Sequence, residues 1–230
     1  MYDNIFKRVE QKYIINKKEK EELFKRIDNY IEKDDYYESK INNIYFDNDN
    51  NELLIESLEK PDFKLKVRLR SYDIPNSNDY VFLEIKDKVN GIVGKRRIKL
   101  TLEEFNNYIN NKEIKNTQIM HELDYYFKLF NLKPSMFIAY DRLSYKEKNN
   151  KNLRITIDSN LRSRNNNLKL ELGDYGKKYF DNETYIMEIK TLDSIPMWLV
   201  KSLSELKIYP VSFSKIGSIY IKNKGSEVLC

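Results

Sequence analysis

Between Lys64 and Arg70 every second residue is cationic and every residue between is aliphatic, in the order Lys-Leu-Lys-Val-Arg-Leu-Arg. Side chains two apart on an extended strand share a face. The alternation therefore predicts a strand with Lys64, Lys66, Arg68 and Arg70 on one side and Leu65, Val67 and Leu69 on the other. Four cations in a row repel one another, so an anion is expected opposite them. The same two-faced pattern recurs at Arg8, Glu10 and Lys12, at Glu84, Lys86 and Lys88, and at Lys95, Arg97 and Lys99. It returns at Arg154, Thr156 and Asp158, at Lys169 and Glu171 against Leu168, Leu170 and Leu172, and at Glu188 and Lys190.

Between these strands the spacing predicts helices. Asn16 to Lys33 places Leu23, Ile27 and Tyr30 on one stripe, with Phe24 and Ile31 beside it. Thr101 and Glu104 form a capping box that opens a short helix burying Phe105, Tyr108 and Ile109. Ile119 to Leu132 carries Leu123, Tyr126, Phe127 and Phe130 on one side and stops before Pro134. Ser194 to Trp198, with Pro196 near its first position, opens a last helix. A short strand is expected from Ile41 to Phe46, running into a polar turn from Asp47 to Asn51. Further strands are expected from Phe137 to Tyr145 and from Tyr185 to Thr191. Asn90-Gly91 is a hairpin signal joining the strands on either side. The acidic look of the 47–51 turn lacks the glycine and closing glutamate of an EF-hand, and a plain loop is the reading.

Composition narrows the chemistry. The 230 residues are 33% charged and 40% hydrophobic, with a net charge of +5. Acidic partners are favoured, and DNA is not expected. The one cysteine, Cys230, is the last residue, which excludes an internal disulfide and a cysteine nucleophile in the core. The one histidine, His121, argues against Ser-His-Asp catalysis and is read as a packing or capping residue. Neither a signal peptide nor a membrane-spanning segment is evident, so cytoplasmic residence is expected. With no internal repeat and no clear linker, one domain over 1–230 is expected.

An antiparallel sheet with one charged face could lie on a helical layer with its charges in water. Solvated faces, however, usually interleave both signs, whereas Lys64, Lys66, Arg68, Arg70, Lys95 and Arg97 are crowded without matching anions. If the sheet closes, the charged faces line a lumen and the aliphatic faces turn outward beneath the helices. The expectation is an α+β fold, an antiparallel barrel tunnel of about eight strands with a polar, basic lumen. Uncompensated buried cations are costly, and a polyanion would fill such a lumen. Arginine suits phosphate through its bidentate fork and lysine as a point charge. Lys66 and Lys190 share these faces and are phosphate-binding candidates. The few carboxylates present, Glu10, Glu84, Asp158, Glu171 and Glu188, suit Mg²⁺ or Mn²⁺ held together with phosphate oxygens. For Glu84 a salt bridge to a cross-strand cation is an equal alternative.

Arg8-Val-Glu10-Gln-Lys12-Tyr, Ile44-Tyr-Phe-Asp47, Lys66-Val-Arg68-Leu-Arg70, Glu84-Ile-Lys86 and Lys95-Arg-Arg97 stand in order along the chain. Tyr140-Asp-Arg142, Leu153-Arg154-Ile-Thr-Ile-Asp158, Glu188-Ile-Lys190 and Phe213-Ser-Lys215 follow. Their order and spacing resemble the vacuolar transporter chaperone (VTC) domain, the polyphosphate-polymerase branch of the triphosphate tunnel metalloenzymes. The resemblance implies a tunnel in which Lys12, Arg68, Arg70, Lys86, Lys95, Arg97, Arg142, Arg154 and Lys215 contact phosphate. It also implies that Glu188 binds the metal, with Glu10 and Glu84 as further candidates. The implied reaction is transfer of the γ-phosphoryl group of ATP to a growing polyphosphate. Such chemistry asks for charge neutralisation and alignment more than for a side-chain nucleophile.

Hydrolytic tunnel enzymes resemble one another in a strand carrying Glu-x-Glu-x-Lys, and Arg8 stands here in place of the first glutamate. One acidic ligand fewer favours polymerisation or binding over hydrolysis. The alternatives are a tripolyphosphatase or nucleoside triphosphatase on the same tunnel, a polyphosphate-binding module without turnover, and more remotely an RNA 5′-end binder. The SPX region and membrane helices of the eukaryotic polymerase assemblies are not recognised in this sequence, and product translocation is not expected of this chain.

Overall fold

The computed structural model describes residues 9–59, 62–89, 92–111, 115–148, 152–192 and 194–227. In chain order the elements begin with β1 (Val9–Asn16), α1 (Lys17–Ile27), β2 (Ile31–Asp47), α2 (Glu52–Leu58) and β3 (Phe63–Tyr72). They continue with β4 (Tyr80–Val89), β5 (Ile92–Thr101), α3 (Leu102–Asn111), α4 (Gln118–Leu129) and β6 (Lys133–Glu147). The remainder are β7 (Arg154–Arg164), β8 (Lys177–Lys178), β9 (Thr184–Thr191), α5 (Met197–Glu205) and α6 (Lys215–Glu227). The hydrogen-bonded order is β1-β9-β7-β6-β2-β3-β4-β5, with β8 beside β7. The fold is α+β on a nine-stranded, mostly antiparallel sheet, and among the described residues no hydrogen-bonded pairing joins the two ends of that order.

The chain folds as two compact units, one within 1–39, 140–161 and 178–213 and the other within 40–139, 162–177 and 214–230. In the first unit, Tyr13 and Ile15 of β1, Ile155 and Ile157 of β7, and Met187 and Ile189 of β9 are buried with Leu23 and Ile27 of α1 and Leu199 and Leu203 of α5. In the second, Leu65, Val67 and Leu69 of β3 and Val81, Leu83 and Ile85 of β4 are buried with Leu53 of α2, Phe105 and Tyr108 of α3, and Leu123 and Phe127 of α4. Each fully buried side chain of this size stabilises the fold by about 2 kcal/mol relative to exposure. In both units, therefore, the amphipathic helices cover the aliphatic face of their strands, and the alternate, charged positions belong to the opposite face.

The helix starts follow local chemistry. Asn16 caps α1 by accepting from the Glu19 N–H at 2.9 Å, while the Glu19 carboxylate accepts from the Asn16 N–H at 2.8 Å. Thr101 and Glu104 make the same reciprocal pair at α3. The turn after β2 belongs to Asp47, whose buried carboxylate accepts from the N–H groups of Asn48, Leu53 and Leu54. That engagement agrees with a plain, helix-opening loop. His121, on α4, is exposed and bonded at 3.0 Å to Asn116, which lies just before that helix.

Five expected elements differ. The first helix ends at Ile27 rather than Lys33, because Ile31 already belongs to β2. β2 starts ten residues before the expected Ile41, through a stretch that is exposed on most positions and so carries no apolar alternation. β7 runs on to Arg164, past Asp158, the last position of its expected two-faced pattern. Leu168 to Leu172 is loop rather than strand, so Lys169 and Glu171 lie on no strand face. Finally, α5 is not the last helix, and Lys215 is the first residue of α6. The Asn90-Gly91 turn, Arg8 and Cys230 lie outside the described residues.

The 165–176 loop is shaped by one arginine. The Arg164 side chain donates to the backbone carbonyls of Asn167, Lys169, Gly173 and Tyr175 at 2.8–3.1 Å. Its guanidinium lies 3.5 Å from the ring centroid of Phe137 and 4.3 Å from that of Tyr175. Gly173 is in the left-handed region at φ 99°, and a Cβ on Gly176 would come within 2.6 Å of the Ser163 carbonyl oxygen.

Candidate functional site

Antiparallel register sets the charges of the second unit in rows. Lys66, Lys86 and Lys95 are cross-strand partners on β3, β4 and β5. The next row is Arg68, Glu84 and Arg97, and the one after is Arg70, Phe82 and Lys99. Like charges in direct register destabilise a sheet. In these rows Glu84 is the single carboxylate, which leaves a strongly basic face.

Glu84 is 1% exposed, and both of its oxygens are engaged. Oε2 accepts from Arg68 Nε at 2.8 Å, and Oε1 lies 3.0 Å from Lys95 Nζ. Burial would push its pKa up, but the field of Arg68, Arg70 and Lys95 outweighs it and brings the carboxyl down to about 2. Burial also lowers the Lys95 ammonium from its ordinary value, with Glu84 opposing. Of the two readings of Glu84, the geometry is that of the cross-strand salt bridge.

Two neighbouring β2 residues complete this face. Asn43, in register with Arg70, accepts from its Nε at 2.8 Å and donates to the Ile138 carbonyl at 3.1 Å. Tyr45, in register with Arg68, accepts from Nη1 at 3.2 Å. Lys66 Nζ reaches the Ser214 hydroxyl at 3.2 Å, one residue before Lys215. The sequence signal for Asn43 and Tyr45 was their alternation with Ile44 and Phe46.

The first unit carries both signs. Its rows are Glu10, Lys190 and Arg154, then Lys12, Glu188 and Thr156, on β1, β9 and β7. Lys190 Nζ lies 3.4 Å from Glu188 and 3.8 Å from Glu10. Lys12 Nζ donates to the Phe213 carbonyl at 3.1 Å and lies 3.4 Å from Glu10. Arg154 pairs with Asp34 at 3.1 Å. Arg142 is gripped by Asp158, and its Nη2 lies 3.9 Å from Glu188. Burial would lower the Arg142 pKa, yet Asp158, Tyr140 and Glu188 hold the proton well above its ordinary range.

Among the described residues no three His, Cys, Asp or Glu side chains converge as a metal cage. What the first unit does offer is Glu188 with the buried Thr156 hydroxyl in register opposite, and that hydroxyl has no hydrogen-bond partner among the described residues. A carboxylate and a hydroxyl are hard oxygen donors. They fit an ion such as Mg²⁺ or Mn²⁺, which takes few protein ligands and completes its shell with phosphate oxygens and water.

In each unit, then, helices cover the aliphatic face of antiparallel strands and charged residues take the alternate positions. Residues 7–220 match the VTC domain family, and the chain belongs to it. Among solved structures, a candidate adenylate cyclase from Bacillus halodurans shares the fold at 14% identity and a TM-score of 0.52, covering 90% of this chain and 93% of its own. A Pyrococcus horikoshii protein aligns at 16% identity and a TM-score of 0.47, over 94% of this chain and 99% of its own. A candidate adenylyl cyclase from Hippeastrum, described as having a dominant triphosphatase activity, aligns at 13% and 0.47, over 91% and 93%. No curated protein sequence matches the chain. No helix among the described residues is long and apolar enough to cross a membrane.

Proposed function

We propose that the protein is a metal-dependent polyphosphate polymerase that transfers the γ-phosphoryl group of ATP to a polyphosphate chain, held on its basic strands in the manner of the VTC family's tunnel. The observation that carries this reading is the row of Lys66, Lys86 and Lys95, flanked by Arg68, Arg70 and Arg97, on the strand face opposite the aliphatic core. A polyanion offsets the repulsion within that face. Arg68 and Arg70 bring planar forks for phosphate, and Lys66, Lys86, Lys95, Lys190 and Lys215 bring point charges. Lys12, Arg142 and Arg154, with Lys190, are the first unit's cations in this set.

In this reading Glu188 holds the divalent ion, assisted by Glu10, and Glu84 serves charge compensation. The bound ion would supply neutralisation of charge on the phosphate oxygens. The chain's own part is to align donor and acceptor phosphates and to spread the developing charge over arginine and lysine. The terminal phosphate of the chain is itself the nucleophile, so no histidine or cysteine is called for.

Incubation of the purified protein with ATP and Mn²⁺, with products resolved by gel and phosphorus NMR, tests the proposal. Long-chain polyphosphate together with ADP is the expected outcome. Free phosphate without chains would make it a hydrolase. Neither product, together with tight tripolyphosphate binding, would make it a binding module.

A further inference from the structure

Tyr45 has an unusual set of neighbours for a buried phenol. It is 8% exposed and stands in register with Arg68, whose Nη1 donates to its oxygen at 3.2 Å. A guanidinium has donors and no acceptor, so this bond leaves the phenolic proton to be given elsewhere. Among the described residues Tyr45 Oη donates to no protein acceptor. A buried hydroxyl whose proton is unpaired is costly, and the surroundings suggest what would pair it. The charged groups that act on the phenol are Arg68, Arg70 and Lys66 of β3, with Glu84 of β4 bonded to Arg68; Asp47 lines the same pocket as Tyr45 and Lys66. Burial pushes the phenol pKa up, but these three cations more than reverse it and bring it to about 8.

We propose that Tyr45 is a further phosphate-contacting residue, which donates its O–H to a phosphoryl oxygen of the bound chain while its own oxygen accepts from Arg68. The hydroxyl thereby fixes Arg68 and the anion against each other. The assignment rests on the phosphate-binding reading of this face, and it adds a neutral donor to a set otherwise made of cations.

The test compares the full-length wild type with Tyr45→Phe, using tripolyphosphate as the probe in calorimetric titration and thermal unfolding. The empty variant is expected to melt at or above the wild type, because the hydroxyl it lacks had no acceptor for its proton. Its tripolyphosphate affinity is expected to fall about 10-fold near neutral pH, the scale of one charged hydrogen bond. The ratio of the two affinities should close between about pH 6.5 and about pH 9.5, since an ionised phenol cannot donate. Titrations of lysines and of the probe are common to both proteins and cancel in that ratio. Equal affinities near neutral pH, or a ratio constant across the range, would overturn the assignment. Absence of tripolyphosphate binding by the wild type would overturn the phosphate reading itself, and the assignment with it.

Discussion

Arg142 and Asp158 are joined by two hydrogen bonds, Nε to Oδ1 at 2.6 Å and Nη2 to Oδ2 at 2.8 Å. Asp158 is 1% exposed, so its charge depends on that partner. Two of the five guanidinium N–H donors are thereby used. Under the proposed function, that pairing orients the arginine toward phosphate.

Asp158→Asn is expected to lower stability by about 3 kcal/mol, since it leaves a buried guanidinium without its counter-charge. Phosphate binding should fall with it, because the fork is no longer oriented. Chemical denaturation and calorimetric titration would read the two effects separately. Unchanged stability would show that other contacts orient Arg142.

Glu84→Gln is expected to cost about 3 kcal/mol near neutral pH, as Arg68 and Lys95 lose a shared buried partner. Saturating tripolyphosphate should return part of that loss by supplying negative charge to the same face. The pH dependence has a definite sign. A carboxyl lowered from 4.5 to about 2 in the folded protein contributes stability that is present above 4.5 and is lost as pH falls through about 2. Urea denaturation across this window should therefore show the wild type losing its advantage and the two proteins converging.

Arg70→Lys keeps the charge but removes the fork and the Nε bond to Asn43. Tripolyphosphate affinity is expected to drop about 10-fold, with melting little changed. Asn43→Ala should reproduce part of the loss, because it releases the same guanidinium. A large fall in melting temperature with unaltered affinity would make Arg70 a structural residue.

Glu188→Gln is expected to abolish metal-dependent turnover, by about 100-fold or more, with the fold retained. Activity assays over a Mn²⁺ series, alongside thermal unfolding, would measure both. A collapse in melting temperature would assign Glu188 to the scaffold.

The sequence made the two-faced strands plain wherever one face is aliphatic, as in β3, β4 and β9, because burial of Leu65, Val67 and Leu69 forces the cations to the other side. It was silent on the start of β2, where Glu32 to Lys40 expose most positions and no period appears. The end of β7 was hidden for the opposite reason. Arg162, Ser163 and Arg164 are buried, and polar residues satisfied by hydrogen bonds resemble a loop in sequence. Leu168 to Leu172 misled through a convincing alternation: Leu170 fills the core of its unit, but the Lys169 carbonyl beside it accepts from Arg164 rather than from a neighbouring strand. At the site, the cations were legible from type and spacing. Their partners were not, since the pairing of Asp158 with Arg142 and of Glu84 with Lys95 depends on register between strands.

The grip of Arg164 on its loop has a bearing on how this protein can change. Four carbonyl oxygens in the 165–176 loop answer to one guanidinium, and every amino acid supplies a carbonyl. Asn165 and Asn166 are therefore spectators to its course, and a descendant could exchange either freely while the path of the chain persisted, whereas Asn167 stands at φ 48° and donates to the Tyr175 hydroxyl at 3.2 Å. Constraint is concentrated at Arg164 and at Gly173 and Gly176, whose backbones admit little else. Sequence drift in this segment would report ancestry, and steadiness at those three positions would report shape.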